Sequence, residues 1–279
     1  MNRIESAALL SCPDVSAKEP PWASRSRGLI LDLDGTLVSG HEVLPGAPQL
    51  LARWSGRYVV VSNNSTDTAA RLAPRLQALG LSIQADALVL AGEQALRHIA
   101  RKHPHARLLL CGSDVLRECA ARLGLALVSR EADIVLLARD LAFSYATLQT
   151  LSIELARGAV LMVSNGDFTH PGPQGLLVPE TGALLQAVQA CAPGVRPIIL
   201  GKPAPMLFEE GLRRLNVPPE DVTVIGDNAR TDAKGAVSLG MGYLLVGDTP
   251  EADAANVAGL MLAAPPRRHA LPARAATDQ

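Results

Sequence analysis

Two carboxylates one residue apart close an aliphatic run, Leu29-Ile30-Leu31-Asp32-Leu33-Asp34, and Gly35-Thr36 follow at once. Leu29 to Leu33 reads as a buried strand. Side chains at i and i+2 share a strand face, so Asp32 and Asp34 can reach one small volume at its end. Crowded acids resist ionising together unless a cation sits between them, and an all-oxygen donor set suits a hard ion of the Mg2+ type. Gly35 lets the chain turn sharply and approach a ligand closely. Alone, Asp-Leu-Asp-Gly is equally the chemistry of a surface turn. Three further apolar runs also end in polar groups. Arg57 to Ser62 leads into Asn63, Ile198 to Leu200 into Gly201-Lys202-Pro203, and Val222 to Ile225 into Gly226-Asp227-Asn228, with Asp232 close behind. Ligands of open α/β sheets bind outside the carboxyl ends of the strands. Acids, a hydroxyl with an amide, a lysine and more acids at such ends suit phosphoryl transfer. The donors hold phosphate oxygens, the lysine offsets their charge, and a metal ion quells the remaining repulsion.

The elements that must position these groups alternate between strand and helix. After a loop holding Gly40, Pro45 and Gly46, a short helix ends near Trp54. The Ser62–Thr66 polar stretch precedes a helix that Thr66 or Asp67 can cap and Gly80 closes. From about Gln84 to Pro197 the pattern repeats. Strands are expected at Leu108–Leu110, Ile134–Leu137 and Ala159–Val163, and helices at Ala91–Lys102, Asp114–Leu123, Tyr145–Arg157 and Glu180–Cys191. A helix over Ala204–Leu215 tolerates Pro205 in its first turn, and Gly242–Val246 reads as a further strand. The pattern predicts an α/β fold with a doubly wound parallel sheet.

The chain has 279 residues, 48% of them hydrophobic, enough for a sizeable core and one or two domains. A formal net charge of -1 and only 3% aromatic residues argue against a nucleic-acid polymer or an anionic membrane surface as partner. No run approaches the roughly 20 apolar residues of a membrane span. Cys12, Cys111, Cys119 and Cys191 lack paired spacing, which fits a cytoplasmic protein without zinc or a disulfide framework. Ser, Pro and charged residues over 1–27 predict a mobile extension without signal-peptide character. The tail over 265–279 is expected to be disordered.

Asp32-Leu33-Asp34-Gly35-Thr36, Ser62-Asn63, Gly201-Lys202-Pro203 and Gly226-Asp227-Asn228 through Thr231-Asp232 resemble, in order and spacing, the motifs of the haloacid-dehalogenase-like phosphatases across roughly residues 28 to 250. The long insert between the second and third motifs is similar to that of the NagD-type subgroup, as are Ser164-Asn165-Gly166-Asp167 and Asn228-Ala229-Arg230. The resemblance implies a Rossmann-like core over 28–83 plus 198–264 and an inserted α/β cap over 84–197. It implies Asp32 as a nucleophile forming an aspartyl-phosphate and Asp34 as proton donor and then base. Ser62, the backbone N–H groups of Asn63 and Gly35, and Lys202 would hold the phosphate. Mg2+ would be held by Asp32, the main-chain carbonyl of Asp34 and Asp227, with Asp232 acting through water or by orienting Lys202. Asp167 would touch the substrate from the cap, and His170 lies near it in sequence. Two cap positions depart from the family pattern: Asn165-Gly166-Asp167 where Asn-Pro-Asp is usual, and Pro179-Glu180-Thr181-Gly182 where Pro-Gly-x-Gly is usual. The implied activity is Mg2+-dependent hydrolysis of a small sugar phosphate, nucleotide or similar metabolite, by a monomer or a cap-mediated homodimer. A phosphomutase, a dehalogenase and a catalytically silent binding protein on the same fold remain alternatives. Asp34 with Asp227 speaks against dehalogenation, and the intact set of acids and lysine against a silent protein.

Overall fold

The computed structural model describes residues 22–171 and 176–262. The extension expected before residue 22 and the tail expected over 265–279 lie outside them. β1 (Gly28–Leu31) leads into a small antiparallel pair, β2 (Val38–Ser39) and β3 (Glu42–Val43), then α1 (Ala47–Arg53), β4 (Tyr58–Ser62), α2 (Ala69–Ala78), β5 (Leu88–Leu90) and α3 (Ala91–Lys102). Next come β6 (Arg107–Cys111), α4 (Asp114–Arg122), β7 (Ala126–Leu127), β8 (Ile134–Leu137), α5 (Tyr145–Ala156) and β9 (Val160–Val163). A hairpin of β10 (Thr169–Pro171) and β11 (Leu177–Pro179) precedes α6 (Thr181–Cys191) and β12 (Ile198–Ile199). The chain closes with α7 (Pro205–Leu215), β13 (Val222–Gly226), α8 (Lys234–Ser238) and β14 (Gly242–Leu245).

These strands form two five-stranded parallel sheets, ordered β14-β13-β1-β4-β5 and β12-β9-β8-β6-β7. The two-residue period of a strand divides each core into two layers. On β1, Leu29 and Leu31 join one cluster with Leu50, Leu72 and Leu76, while Ile30 joins another with Leu207 and Phe208. On β8, Ile134 and Leu136 face Leu96 and Leu116, whereas Val135 and Leu137 face Leu151 and Leu185. Helices therefore cover both faces of both sheets, which is why the strands read as unbroken apolar runs. The result is a Rossmann-like doubly wound core with an inserted α/β cap.

Three sequence expectations are corrected. Leu88–Leu90 belongs to the first sheet, paired with β4 through Val60–Leu88 and Ser62–Leu90, so that sheet runs past residue 83. Conversely Ile198–Ile199 pairs with β9 in the second sheet, two residues beyond the expected boundary at 197. Both runs are short and abut a helix or a turn, so hydrophobicity alone does not say which sheet takes them. Residues 22–27, expected to be loose, are anchored. Trp22 is buried and stacks on Trp54 with ring centroids 5.9 Å apart, and its Nε1–H donates to the Leu260 carbonyl at 2.8 Å. Burying a ring of that size outweighs the disorder suggested by the neighbouring Pro and Ser.

Candidate active site

The Asp32 carboxylate sits one residue beyond β1 and is 6% exposed. Lys202, which follows β12 of the second sheet and Leu200, reaches it from there: Nζ lies 2.5 Å from Asp32 Oδ1 and 2.7 Å from Asp232 Oδ1. Thr36 Oγ1 donates to the other Asp32 oxygen at 3.4 Å. Asp232 is held in turn by the Asn228 N–H at 3.2 Å, inside the wide helical turn that links β13 to α8. Gly226 at the end of β13 lets this happen, because a Cβ there would overlap the Asp232 carboxylate. Gly35, at φ +85°, likewise leaves room for Asp227, whose carboxylate a Cβ would strike.

Carboxylate oxygens of Asp32, Asp227 and Asp232 lie within 4.8 Å of one another. Burial raises the pKa of Asp32 well above the usual range, Lys202 works against this, and the Asp232 and Asp227 charges add to it. Burial and Asp232 push Asp227 up to about 6. Burial by itself would discharge Lys202, yet the Asp232 and Asp32 charges outweigh it and keep the ammonium. One buried cation thus serves three crowded carboxylates, and the set lacks positive charge. A hard divalent ion with oxygen ligands fits that deficit.

The Asp34 carboxylate is not one of these three. Burial raises its pKa, opposed by the charges of Lys202, His170 and Arg139 and by a hydrogen bond from Ser62. The Ser62 hydroxyl also accepts from the Asn64 N–H at 3.0 Å. The Gly35 N–H, expected to hold phosphate, donates instead to the Val38 carbonyl at 2.7 Å, closing the turn into β2.

The second sheet meets this site at its own strand ends. Asn63 Oδ1 accepts from the Lys202 N–H at 2.8 Å, while its Nδ2 donates to the Lys202 carbonyl at 3.2 Å and to Asp167 Oδ2 at 2.9 Å. Asp167, expected to touch substrate, has one carboxylate oxygen in a link between cap and core. Asn165, just past β9, is fully buried and donates through Nδ2 to the Asn63 carbonyl at 2.9 Å, to Ser65 Oγ at 3.1 Å and to Thr181 Oγ1 at 3.2 Å. Sequence reasoning did not assign a role to Asn165, Ser65 or Thr181. It also passed over Arg139 and Glu180, although Arg139 follows the buried run Ile134–Leu137 in the manner of the motif residues it did select. Removing the Asn165 amide strips the joint of its donor and leaves buried acceptors, at a cost of about 1–3 kcal/mol. Asn165→Ala is therefore expected to lower the thermal midpoint by roughly 2–4 °C per kcal/mol lost, read by circular dichroism. An unchanged midpoint would show the joint to be immaterial to stability.

This combination of two parallel α/β sheets and a buried acid–lysine cluster defines a class of hydrolase, and comparison with known proteins agrees. The model of the haloacid dehalogenase-like hydrolases matches residues 29–126, and a HAD-hydrolase-like model matches residues 199–264. The acid sugar phosphatase of Staphylococcus saprophyticus is 30% identical over 217 residues, covering 76% of this chain and 83% of that protein. The crystal structure of 4-nitrophenylphosphatase from Thermotoga maritima superposes with a TM-score of 0.79 at 26% identity, over 86% of this chain and 97% of that one. That of glycerol phosphate phosphatase from Mycobacterium tuberculosis, in complex with magnesium, does so with a TM-score of 0.74 at 30% identity, over 81% and 70%. The chain belongs to the haloacid dehalogenase-like hydrolase family. Within it, the chain is of the NagD type, with its cap inserted between the second and third motifs.

Proposed function

We propose that the chain is a Mg2+-dependent phosphomonoesterase acting on a small phosphorylated metabolite through an aspartyl-phosphate on Asp32. The observation that carries this reading is the shared lysine. Lys202 bridges Asp32 and Asp232 at the end of the first sheet, beside Asp227 and Ser62. That arrangement holds a carboxylate where a phosphate would dock, with a cation already in place to receive the phosphate's charge.

In this scheme Lys202, Ser62 Oγ and the Asn63 N–H bind the phosphate oxygens. Asp32 attacks phosphorus while Asp34, whose pKa is raised, gives its proton to the departing ester oxygen. Asp34 then takes a proton from the water that cleaves the acyl-phosphate. Asp32, the Asp34 carbonyl and Asp227 would hold the divalent ion, with Asp232 positioning Lys202. When bound, that ion supplies positive charge against the phosphate and the crowded acids. Asp167 holds the cap to Asn63, and the closed cap keeps bulk water out and favours small leaving groups. Cys111 and Cys119, used as buried apolar residues, support a cytoplasmic setting. No helix among the described residues is long and apolar enough to cross a membrane.

Phosphate release from a panel of sugar phosphates, nucleotides and glycerol phosphates, with and without Mg2+, tests the assignment. Silence across the panel while ligands bind tightly would instead favour a non-catalytic binding protein. A sharper test concerns Asp34. A nitrophenolate leaves without a proton, so Asp34→Asn is expected to release about one equivalent of it per enzyme and then stall at the acyl-phosphate. Rapid-mixing absorbance reads this directly, and steady turnover at the wild-type rate would remove Asp34 from the scheme.

A further inference from the structure

The cap carries a second cluster of charged side chains that the chemistry above does not use. Arg139 follows β8, Glu180 precedes α6, and His170 lies on β10. Glu180 Oε1 sits 2.7 Å from His170 Nδ1, without the alignment of a hydrogen bond, and 3.5 Å from Arg139 Nη1. Glu180 Oε2 accepts from the Thr181 N–H at 3.3 Å. The cluster is tied to the core rather than hanging free. The Arg139 N–H donates to Ser65 Oγ at 3.2 Å, and Ser65 Oγ lies 3.2 Å from Thr181 Oγ1. Ser65 is three residues beyond Ser62 in the phosphate-binding stretch.

Two features give this cluster a direction. The Arg139 backbone is anchored on Ser65, in the same stretch as the phosphate-binding Ser62 and Asn63, which sets the cluster beside the site. In addition, Arg139 Nε is buried with no hydrogen-bond partner, and the guanidinium's ion pair with Glu180 is long. Arginine is always charged and only donates. A guanidinium with a side chain 21% exposed and an unmet N–H wants an anionic oxygen more than a hydroxyl.

We propose that Arg139 and His170, held in place by Glu180, form a subsite for a second anionic group on the leaving portion of the substrate, beyond the ester oxygen. The inference rests on the phosphatase reading and narrows it: the preferred substrates are short phosphomonoesters that also carry a carboxylate or a second phosphate. Glu180 lies against both side chains and fixes their direction. The exposed part of the Arg139 guanidinium then marks where the anion's oxygen docks. Arg139 and His170 touch the substrate away from the reacting phosphate, so they set KM and leave the bond-making step alone.

The test compares 3-phosphoglycerate with glycerol 3-phosphate, which differ at one end as carboxylate against alcohol, and includes p-nitrophenyl phosphate, which has no second anion. The 279-residue chain in MgCl2 should prefer the carboxylate ester in kcat/KM by about tenfold, the worth of one charge-assisted contact. Arg139→Gln should erase that preference through KM, with p-nitrophenyl phosphate turnover kept to within about twofold. Arg139→Lys should retain most of it. If Arg139→Gln does not fold by circular dichroism, His170→Asn carries the same comparison and should shrink the preference. The subsite is refuted by a wild type indifferent to the carboxylate, by variants that keep the preference, or by folded variants that lose all three substrates in equal proportion. A wild type inactive on every ester defeats the phosphatase reading itself, and the subsite with it.

Discussion

Asp32→Asn is expected to lower kcat on p-nitrophenyl phosphate by at least about 10⁴-fold, because an amide cannot form the acyl-phosphate and nothing nearby replaces it. Asp34 faces Ser62 and the cap, and Asp227 and Asp232 are committed to the charge cluster and to Lys202. The substitution is close to isosteric and leaves Lys202 its bond to Asp232 at 2.7 Å, so the fold and the phosphate-binding donors survive. Substrate affinity should therefore change far less than kcat. The contrast with Asp232→Asn sharpens the point. That variant keeps the nucleophile and weakens only the grip on Lys202, so its loss should be about 10- to 100-fold, in the manner of a positioning residue. Both values come from steady-state kinetics on folded protein. Turnover of Asp32→Asn near the wild-type rate would falsify the assigned nucleophile.

Much of this site is legible in the sequence because strand ends announce themselves. A buried parallel strand is a continuous aliphatic run, and the first polar residues past it must lie at the sheet's carboxyl edge, where ligands bind. Asp32, Ser62 and Asp227 follow that rule at the ends of β1, β4 and β13 of the first sheet, and Lys202, past β12 of the second sheet, reaches Asp32 from there. What stays hidden is pairing. Hydrophobicity cannot tell that Leu88–Leu90 joins the first sheet or that Ile198–Ile199 joins the second, since both are short and equally apolar. Nor can it foresee that Asp167 is taken up by the Asn63 amide, 104 residues away. The same holds for Trp22, whose place against Trp54 and Leu260 depends on contacts between distant parts of the chain. The Gly35 N–H shows the limit within a motif: its identity is plain, but its bond to Val38 depends on the small β2–β3 pair, for which the sequence offered only loop signals.

Mg2+ is expected to raise the thermal midpoint by several degrees at pH 7.5 and by much less at pH 5, and its removal by EDTA should cut turnover by at least about 10³-fold. The sign follows from Asp227. Burial and the Asp232 charge push its pKa from the ordinary 3.8 up to about 6 in the folded protein. The folded state therefore binds that proton more tightly than the unfolded chain does. Its contribution favours folding fully below pH 3.8 and is lost as the pH climbs through 6, where the bare carboxylate must ionise beside Asp232. Asp32 moves in the same direction, through burial and its acidic neighbours. Metal-free protein should thus soften between about pH 4 and pH 7, from these groups, as negative charge builds on an edge where Lys202 is the buried cation. A divalent ion reverses the effect by preferring the ionised carboxylates, so its stabilisation grows over the same interval. Calorimetric melts at the two pH values, with Mg2+ and with EDTA, measure both trends. A shift of equal size at pH 5 and pH 7.5 would mean that the ion binds elsewhere. Asp227→Asn separates the two contributions: it should flatten the pH dependence of the metal-free melt and abolish most of the Mg2+ shift, since the same carboxylate causes the strain and answers it.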